Sequence, residues 1–326
     1  MKPFKTYRQQ LRILRERNLT IKNGNKAIKM LKRGNYYNII NGYKEIFLIK
    51  NTGNIEKYKD NTTIEDIYAL YNFDRNLRIL ALKYILHTEA FLKSLVSYYF
   101  SKKYRLPFSF FNINNFDQKD LQKTTTLISR ISTEINRNTE KLKQGQQPQT
   151  SFSHYLSKHK ELPLWVLVQK LTLGETVNLF SVLKEEIKEE ILKTFCHEYE
   201  TNYKTKVKYK PNSIYDLTKM FYFINDIRNI CAHEDRLYDH ISKHNGKIAR
   251  ISYFFMNKTQ SFSARVIDLV FILGFLLSKK EYKTFIKEIT YEINNLENEL
   301  DSKIFNQILI RMGFKKTWKS DLKTSK

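Results

Sequence analysis

The 326-residue chain carries 57 Lys and Arg against 33 Asp and Glu, a formal net charge of +24. With 41% hydrophobic and 14% aromatic residues it has ample material for a core, which excludes wholesale disorder. Its 9 Gly and 5 Pro are too few for a loop-rich all-β fold or a glycine-loop α/β fold, so a mainly α fold is expected.

The two cysteines, Cys196 and Cys231, are too few for a disulfide scaffold. The chain opens on Arg8, Arg12, Arg15 and Arg17 rather than on a charged-then-apolar leader, and a cytoplasmic location is expected. The most apolar run, Val266 to Leu277, contains Asp268 and falls well short of the roughly 20 residues that span a bilayer. It reads as a core helix, and no membrane partner is expected.

The charge is concentrated. Residues 1–33 hold eleven basic residues and one acid, Glu16; residues 201–211 add four Lys; residues 311–326 add six basic residues and one acid. These three segments supply 19 of the 24 net charges. Any one run is equally well a solvated helix face or a frayed end. Together they read as a polyanion footprint, because clustered cations neutralise successive phosphates and release counterions. The residues expected to hold RNA are Arg8, Arg12, Arg15, Lys22, Lys26 and Lys29, then Lys204, Lys206, Lys208 and Lys210 on an extended arm, and Lys315 and Lys316.

In chain order, Thr6 to Asn18 reads as a short helix with Leu11, Leu14 and Tyr7 inward, and Asn25 to Lys32 as a second with Ala27, Ile28 and Leu31 inward. They form a basic N-terminal module over residues 1–60, ahead of a helical domain over 61–310 and a basic tail over 311–326. Thr63, Glu65 and Asp66 open the helical domain, and a long helix from about Asp74 to Lys102, apolar on most sides, belongs at the centre of a bundle. Arg75, Arg78, Glu89 and Lys93 fall within about 60° of one another on it. That polar stripe is either a solvated edge or the lining of a cleft. Residues 141–153 read as a loop, and further helices are expected over Pro163–Leu183, Lys184–Glu200, Ile214–Asp235, Ser261–Lys279 and Glu281–Asn306.

The segment from Met220 to His233 carries the most chemistry. Met220, Phe223, Ile224, Ile227, Ile230 and Cys231 form a stripe that fixes its buried face. Asn225, Asn229, Ala232 and Arg236 then point away from the core, with Arg228 and His233 on the two flanks of that polar face, about 140° apart. An imidazole for proton transfer, a guanidinium for charge building on phosphorane oxygens and an amide to orient the phosphate suit phosphodiester cleavage without a metal. In RNA the 2′-hydroxyl is the nucleophile, so no activated Ser or Cys is required. A solvated polar face with one His fits the same pattern. No CxxC, HExxH, P-loop or GxGxxG occurs, and His233, His240 and His244 lack an adjacent Cys/His pairing, although Asp235 and Asp239 lie near; no metal and no cofactor are expected.

Arg228, Asn229, Ala232 and His233, followed by Arg236, Leu237 and Tyr238, resemble the RN-x-x-AH…RL signature of the bacterial Abi family of abortive-infection proteins, the AbiD/AbiF-like group. Within it lies the R-x4-H motif of HEPN ribonucleases. Tyr71, Phe73, Asp74, Arg75, Leu77 and Arg78 with Glu89 are similar to that family's Y-x-FDR-x-LR…E helix, and Pro163, Trp165, Leu173 and Gly174 to its P-x-W…G segment. Gln10, Leu11, Leu14, Tyr36, Tyr37, Gly42 and Tyr43 also fit, so the resemblance covers most of residues 4–280. Two positions depart from it: Gln169 stands where an acid is expected, and Glu234 where a His or other polar residue is commoner. The resemblance implies a HEPN-like helical bundle that acts as a homodimer, a metal-independent endoribonuclease toxin in phage defence, and restraint by a small non-coding RNA. It implies His233 as general acid/base, Arg228 on the phosphorane and Asn229 on the phosphate, with Arg75, Arg78, Glu89 and Arg236 lining the cleft. The rival readings are a non-catalytic RNA-binding or sensing module and, on the N-terminal helices, a DNA-binding regulator.

Overall fold

The computed structural model describes residues 3–50, 56–145, 147–148, 150–159, 161–207, 213–243 and 262–323. Its α-helices, in chain order, are α1 (Tyr7–Glu16), α2 (Gly24–Gly34), α3 (Ile64–Lys103), α4 (Leu121–Lys143), α5 (Ser151–His159), α6 (Leu164–Leu167), α7 (Leu173–Val182), α8 (Glu185–Tyr203), α9 (Ser213–Ala232), α10 (Val266–Leu276), α11 (Lys279–Glu299), α12 (Ser302–Arg311) and α13 (Trp318–Lys323). Isolated β-bridges occur, but no strand forms among the described residues. No helix among them is long and apolar enough to cross a membrane.

The axis of the fold is α3, 40 residues long and so about 60 Å from end to end. Thr63 and Asp66 start it with a capping box: the Thr63 hydroxyl accepts the Asp66 N–H at 3.1 Å, and the Asp66 carboxylate accepts the Thr63 N–H at 2.8 Å. The helix therefore begins ten residues before Asp74, where the apolar periodicity had placed its start. Because α3 is apolar around most of its circumference, it needs neighbours on several sides; α6, α8, α9, α10 and α11 supply them. α11 runs antiparallel to it, stitched at Asn76–Glu292 (2.9 Å), Lys83–Glu288 (2.8 Å) and His87–Glu281 (2.7 Å). α9 also runs antiparallel: its end lies at Asp74, while its Phe221 ring meets Phe195, which in turn meets Phe91 of α3.

Several boundaries differ from the sequence reading, each for a local reason. The Pro163–Leu183 stretch is broken after a 3-10 turn at Val168–Lys170. Leu171 is extended, and Thr172 with Glu175 forms a new capping box for α7. Likewise Glu281–Asn306 divides at Leu300, where Asp301 caps α12. α4 and α5 were not expected; α4 buries Leu127, Ile131 and Ile135 and is capped by Asp120, and the two helices narrow the loop read over 141–153 from both sides.

In the N-terminal module Leu11, Leu14, Ala27 and Leu31 are buried as the periodicity requires, whereas Tyr7 is exposed and Ile28 half-buried, with Met30 taking the inward position. This module is continuous with the main core through Ile39, Ile40, Tyr43 and Tyr58. The stretch from 311 onward is likewise packed, with Phe314, Trp318 and Leu322 buried. The lysine arm is described only as far as Val207: α8 ends at Tyr203, Lys204 takes a left-handed conformation, and Lys208 and Lys210 lie outside the described residues.

Candidate functional site

α9 places its side chains as its periodicity dictates. Met220, Phe223, Ile224, Ile227 and Cys231 are buried, joined by Leu217 and Phe221, and Ile230 sits at the edge. Asn229, Ala232 and His233 are exposed and Arg228 is half-buried. The Arg228 Nη1 reaches Asn229 Oδ1 at 3.5 Å, and its Nε is buried with no hydrogen-bond partner among the described residues. Asn229, Ala232 and His233 thus form an exposed shelf at the end of the helix, with the half-buried Arg228 guanidinium against the Asn229 amide.

The helix stops there because of a Schellman cap. The Asp235 N–H donates to the Ile230 carbonyl at 3.1 Å and the Glu234 N–H to the Cys231 carbonyl at 3.4 Å. Glu234 adopts φ +59°, the left-handed conformation in which glycine is usual. His233 thus sits at the junction between a regular helix and a fixed turn.

The loop beyond is held by α3. Asp74, fully buried, accepts the Tyr238 N–H at 2.7 Å, the Leu237 N–H at 3.2 Å, the Tyr43 hydroxyl at 2.7 Å and the Arg78 guanidinium at 2.6 Å. Burial pushes its carboxyl above the usual carboxylate range, and Arg78, Tyr43 and the two amides pull it back. The same burial, followed by the nearby Asp74 charge, pushes the Cys231 thiol up to about 12, with Arg78 working against it. Further ties converge on this loop. The Tyr238 ring stacks on Tyr43 at 6.0 Å, Arg236 Nη1 donates to the Gly42 carbonyl at 2.6 Å, and His240 meets Asp226 at 2.9 Å. Arg311 bridges Asp239 (3.6 Å) and Glu45 (2.9 Å).

These contacts sort the cleft-lining expectations. Arg78, 6% exposed, is an interior group paired with Asp74, not a surface cation. Arg236 is bonded to Gly42 and 3.5 Å from Asp239, so it fastens the loop to the N-terminal module. Glu89 and Lys93 pair at 2.7 Å, 8% and 9% exposed, which overturns the solvated-edge alternative for that part of the stripe; Arg75 alone of the four is exposed. Asp74, Tyr43 and Gly42 were not singled out as site residues. The available signal was an acid with Arg four residues on, inside an otherwise apolar helix.

Gly174 explains its own place in the P-x-W…G segment: a Cβ there would stand 3.2 Å from Asn225 Oδ1, so α7 lies directly against the polar side of α9. Trp165 remains 54% exposed. The RNA-binding expectations Arg8, Arg12, Arg15, Lys22, Lys26, Lys29, Lys204, Lys206, Lys315 and Lys316 are all exposed. Arg12 pairs with Glu16 at 3.0 Å and Lys26 approaches Glu65 at 3.6 Å, while Arg8, Lys22 and Lys29 form no ion pair among the described residues. No group of three or more His, Cys, Asp or Glu that could hold a metal occurs among the described residues.

The molecule is thus a helical protein whose R-x4-H helix ends in a turn clamped by a distant buried aspartate. The family model for Abi-like protein matches residues 29–239, a span that contains α3, α9 and the clamp. The chain belongs to the Abi-like family, whose membership connects it with abortive infection. No curated protein and no solved structure matches the chain.

Proposed function

We propose that the protein is a metal-independent endoribonuclease toxin of an abortive-infection system, built on a HEPN-like bundle. The observation that carries this is the shelf at the end of α9, where Asn229 and the following His233 are exposed and the half-buried Arg228 reaches the Asn229 amide at 3.5 Å, opposite a stripe that is core.

In the reaction the 2′-hydroxyl attacks the adjacent phosphorus, and its proton passes to an imidazole. The bond to the 5′-oxygen breaks as that oxygen receives a proton from an imidazolium, leaving a 2′,3′-cyclic phosphate and a free 5′-hydroxyl. Arg228 neutralises charge on the phosphorane oxygens and Asn229 donates to a non-bridging oxygen. Base and acid are two separate duties; among the described residues His233 is the imidazole on this shelf, and His240 is held by Asp226. A homodimer that brings two shelves together supplies both. The exposed cations of α1 and α2 hold the flanking RNA, and a small non-coding RNA that occupies them restrains the toxin.

Expression of the parent chain in its host tests this. The parent should arrest growth, and His233→Ala at equal abundance should not. Equal toxicity of the two would refute the assignment. The exposed basic surface also suits a non-catalytic RNA-binding module, which predicts salt-dependent RNA binding with no cleavage by either protein.

A further inference from the structure

A cavity of about 490 Å³ opens between the start of α1 and the end of α2, and no α9 residue lines it among the described residues. The residues lining it include the aromatic Phe4, Tyr7 and Tyr36, the basic Lys5 and Lys32, and Asn35. Phe4 is 88% and Tyr7 40% exposed. Lys32 Nζ stands 5.9 Å from the Tyr7 ring centre, so a cation already sits on one aromatic face. The Asn35 Oδ1 accepts the Tyr37 N–H at 2.9 Å, while its amide N–H groups donate to nothing among the described residues. No acidic side chain lines the cavity among the described residues.

Isolated exposed aromatics are ordinary on a protein surface. Here they gather around one concavity with cations and a free amide donor, in the basic segment of largest net charge: eleven basic residues against one acid over residues 1–33. Flat π-faces with a lysine rim are the arrangement that stacks unpaired bases while holding their phosphates. A duplex cannot use it, because its bases are already stacked on one another. The Asn35 amide adds a donor for a base carbonyl or ring nitrogen at the wall.

We infer that this cavity takes an unstacked nucleobase of single-stranded RNA, so that the N-terminal module selects a loop or an unpaired segment in addition to gripping phosphates. This rests on RNA being the ligand of the protein, and it names the structural class of that RNA.

The test uses the full chain carrying His233→Ala, so that the probe stays intact. Binding of a fluorescein-labelled single-stranded oligouridylate and of a blunt RNA duplex is followed by anisotropy across salt concentrations. Replacing Phe4 and Tyr7 together by Ala should weaken binding of the single strand about tenfold or more. Duplex affinity and the salt dependence stay unchanged, since no charge is removed. Tyr7→Phe should restore most of the loss contributed by position 7. Lys5→Ala should instead reduce the salt slope by about one, for both probes. Thermal unfolding of each variant shows that the module remains folded. Unchanged single-strand binding by the double alanine variant, or an equal loss on the duplex, would overturn the inference alone. Absence of RNA binding by the parent protein would overturn it together with the ribonuclease reading.

Discussion

Asp74 and Tyr238 are 164 positions apart in the chain, yet the carboxylate of one accepts the backbone N–H of the other at 2.7 Å in the interior. This bond, with the one to Leu237, fixes where the chain goes after His233. The shelf of α9 owes its shape to an acid on α3 that touches none of the three shelf residues in any hydrogen bond of the described structure.

Removing that acid should be costly. Asp74→Ala removes the ion-pair partner of the buried Arg78 guanidinium, which keeps the Tyr43 hydroxyl at 3.1 Å, and strands two backbone N–H groups; the loss of one partner from a buried pair is worth roughly 3–5 kcal/mol. Chemical denaturation should show a destabilisation of that size. A change below about 1 kcal/mol, the ordinary surface range or little more, would mean that the loop is held by other contacts.

Glu234 offers a change in the opposite direction. A non-glycine residue in the left-handed region carries roughly 1–2 kcal/mol of strain, part of which glycine's extra backbone freedom in the unfolded chain takes back. Glu234→Gly should therefore raise stability by about 1 kcal/mol. A lower midpoint than the parent's would contradict the Schellman reading of this turn.

At Gly174 any larger residue meets the Asn225 amide. Gly174→Val should destabilise by about 1–3 kcal/mol through overpacking, and Gly174→Ala by less, because the first contact is with the end of a side chain. If Val were tolerated as well as Ala, α7 and α9 would not be as closely apposed as described.

Cys231 tests the dryness of the site's inner side. Its thiol is raised to about 12 by burial, and only the thiolate is nucleophilic. At about pH 8.5, where a free cysteine is half ionised, iodoacetamide should label Cys231 only after unfolding. The linked contribution to stability is complete below the unfolded thiol's pKa and is lost as pH rises from there toward 12. Rapid labelling of the native protein would contradict this burial.

How much of this was legible in the sequence depends on distance along the chain. The core stripe of α9 and the polar face carrying Arg228, Asn229 and His233 followed from a 3.6-residue period, because a helix decides those directions locally. The helical class was legible in the scarcity of Gly and Pro, and Thr63 with Glu65 and Asp66 marked the opening of the helical region, although the long helix starts there and not near Asp74. The Asp74 clamp was not, since nothing local distinguishes an acid that will meet backbone N–H groups 163 and 164 residues away from one that faces water. The same gap misplaced Arg78, read with Arg75 as one stripe: α3 is enclosed on one side of that stripe and open on the other. α4 escaped notice because its threonines dilute the spacing of Leu127, Ile131 and Ile135.

Arg228, Asn229 and His233 are proposed to cleave RNA through its own 2′-hydroxyl. The most direct test incubates the purified parent protein and its His233→Ala variant with total RNA in the presence of a strong chelator, and reads the ends of the products. The parent should yield 2′,3′-cyclic phosphate and 5′-hydroxyl ends despite the chelator, and the variant should cleave at least about 10²-fold more slowly, the scale of a lost general acid/base. Cleavage abolished by the chelator, or undiminished in His233→Ala, would contradict it.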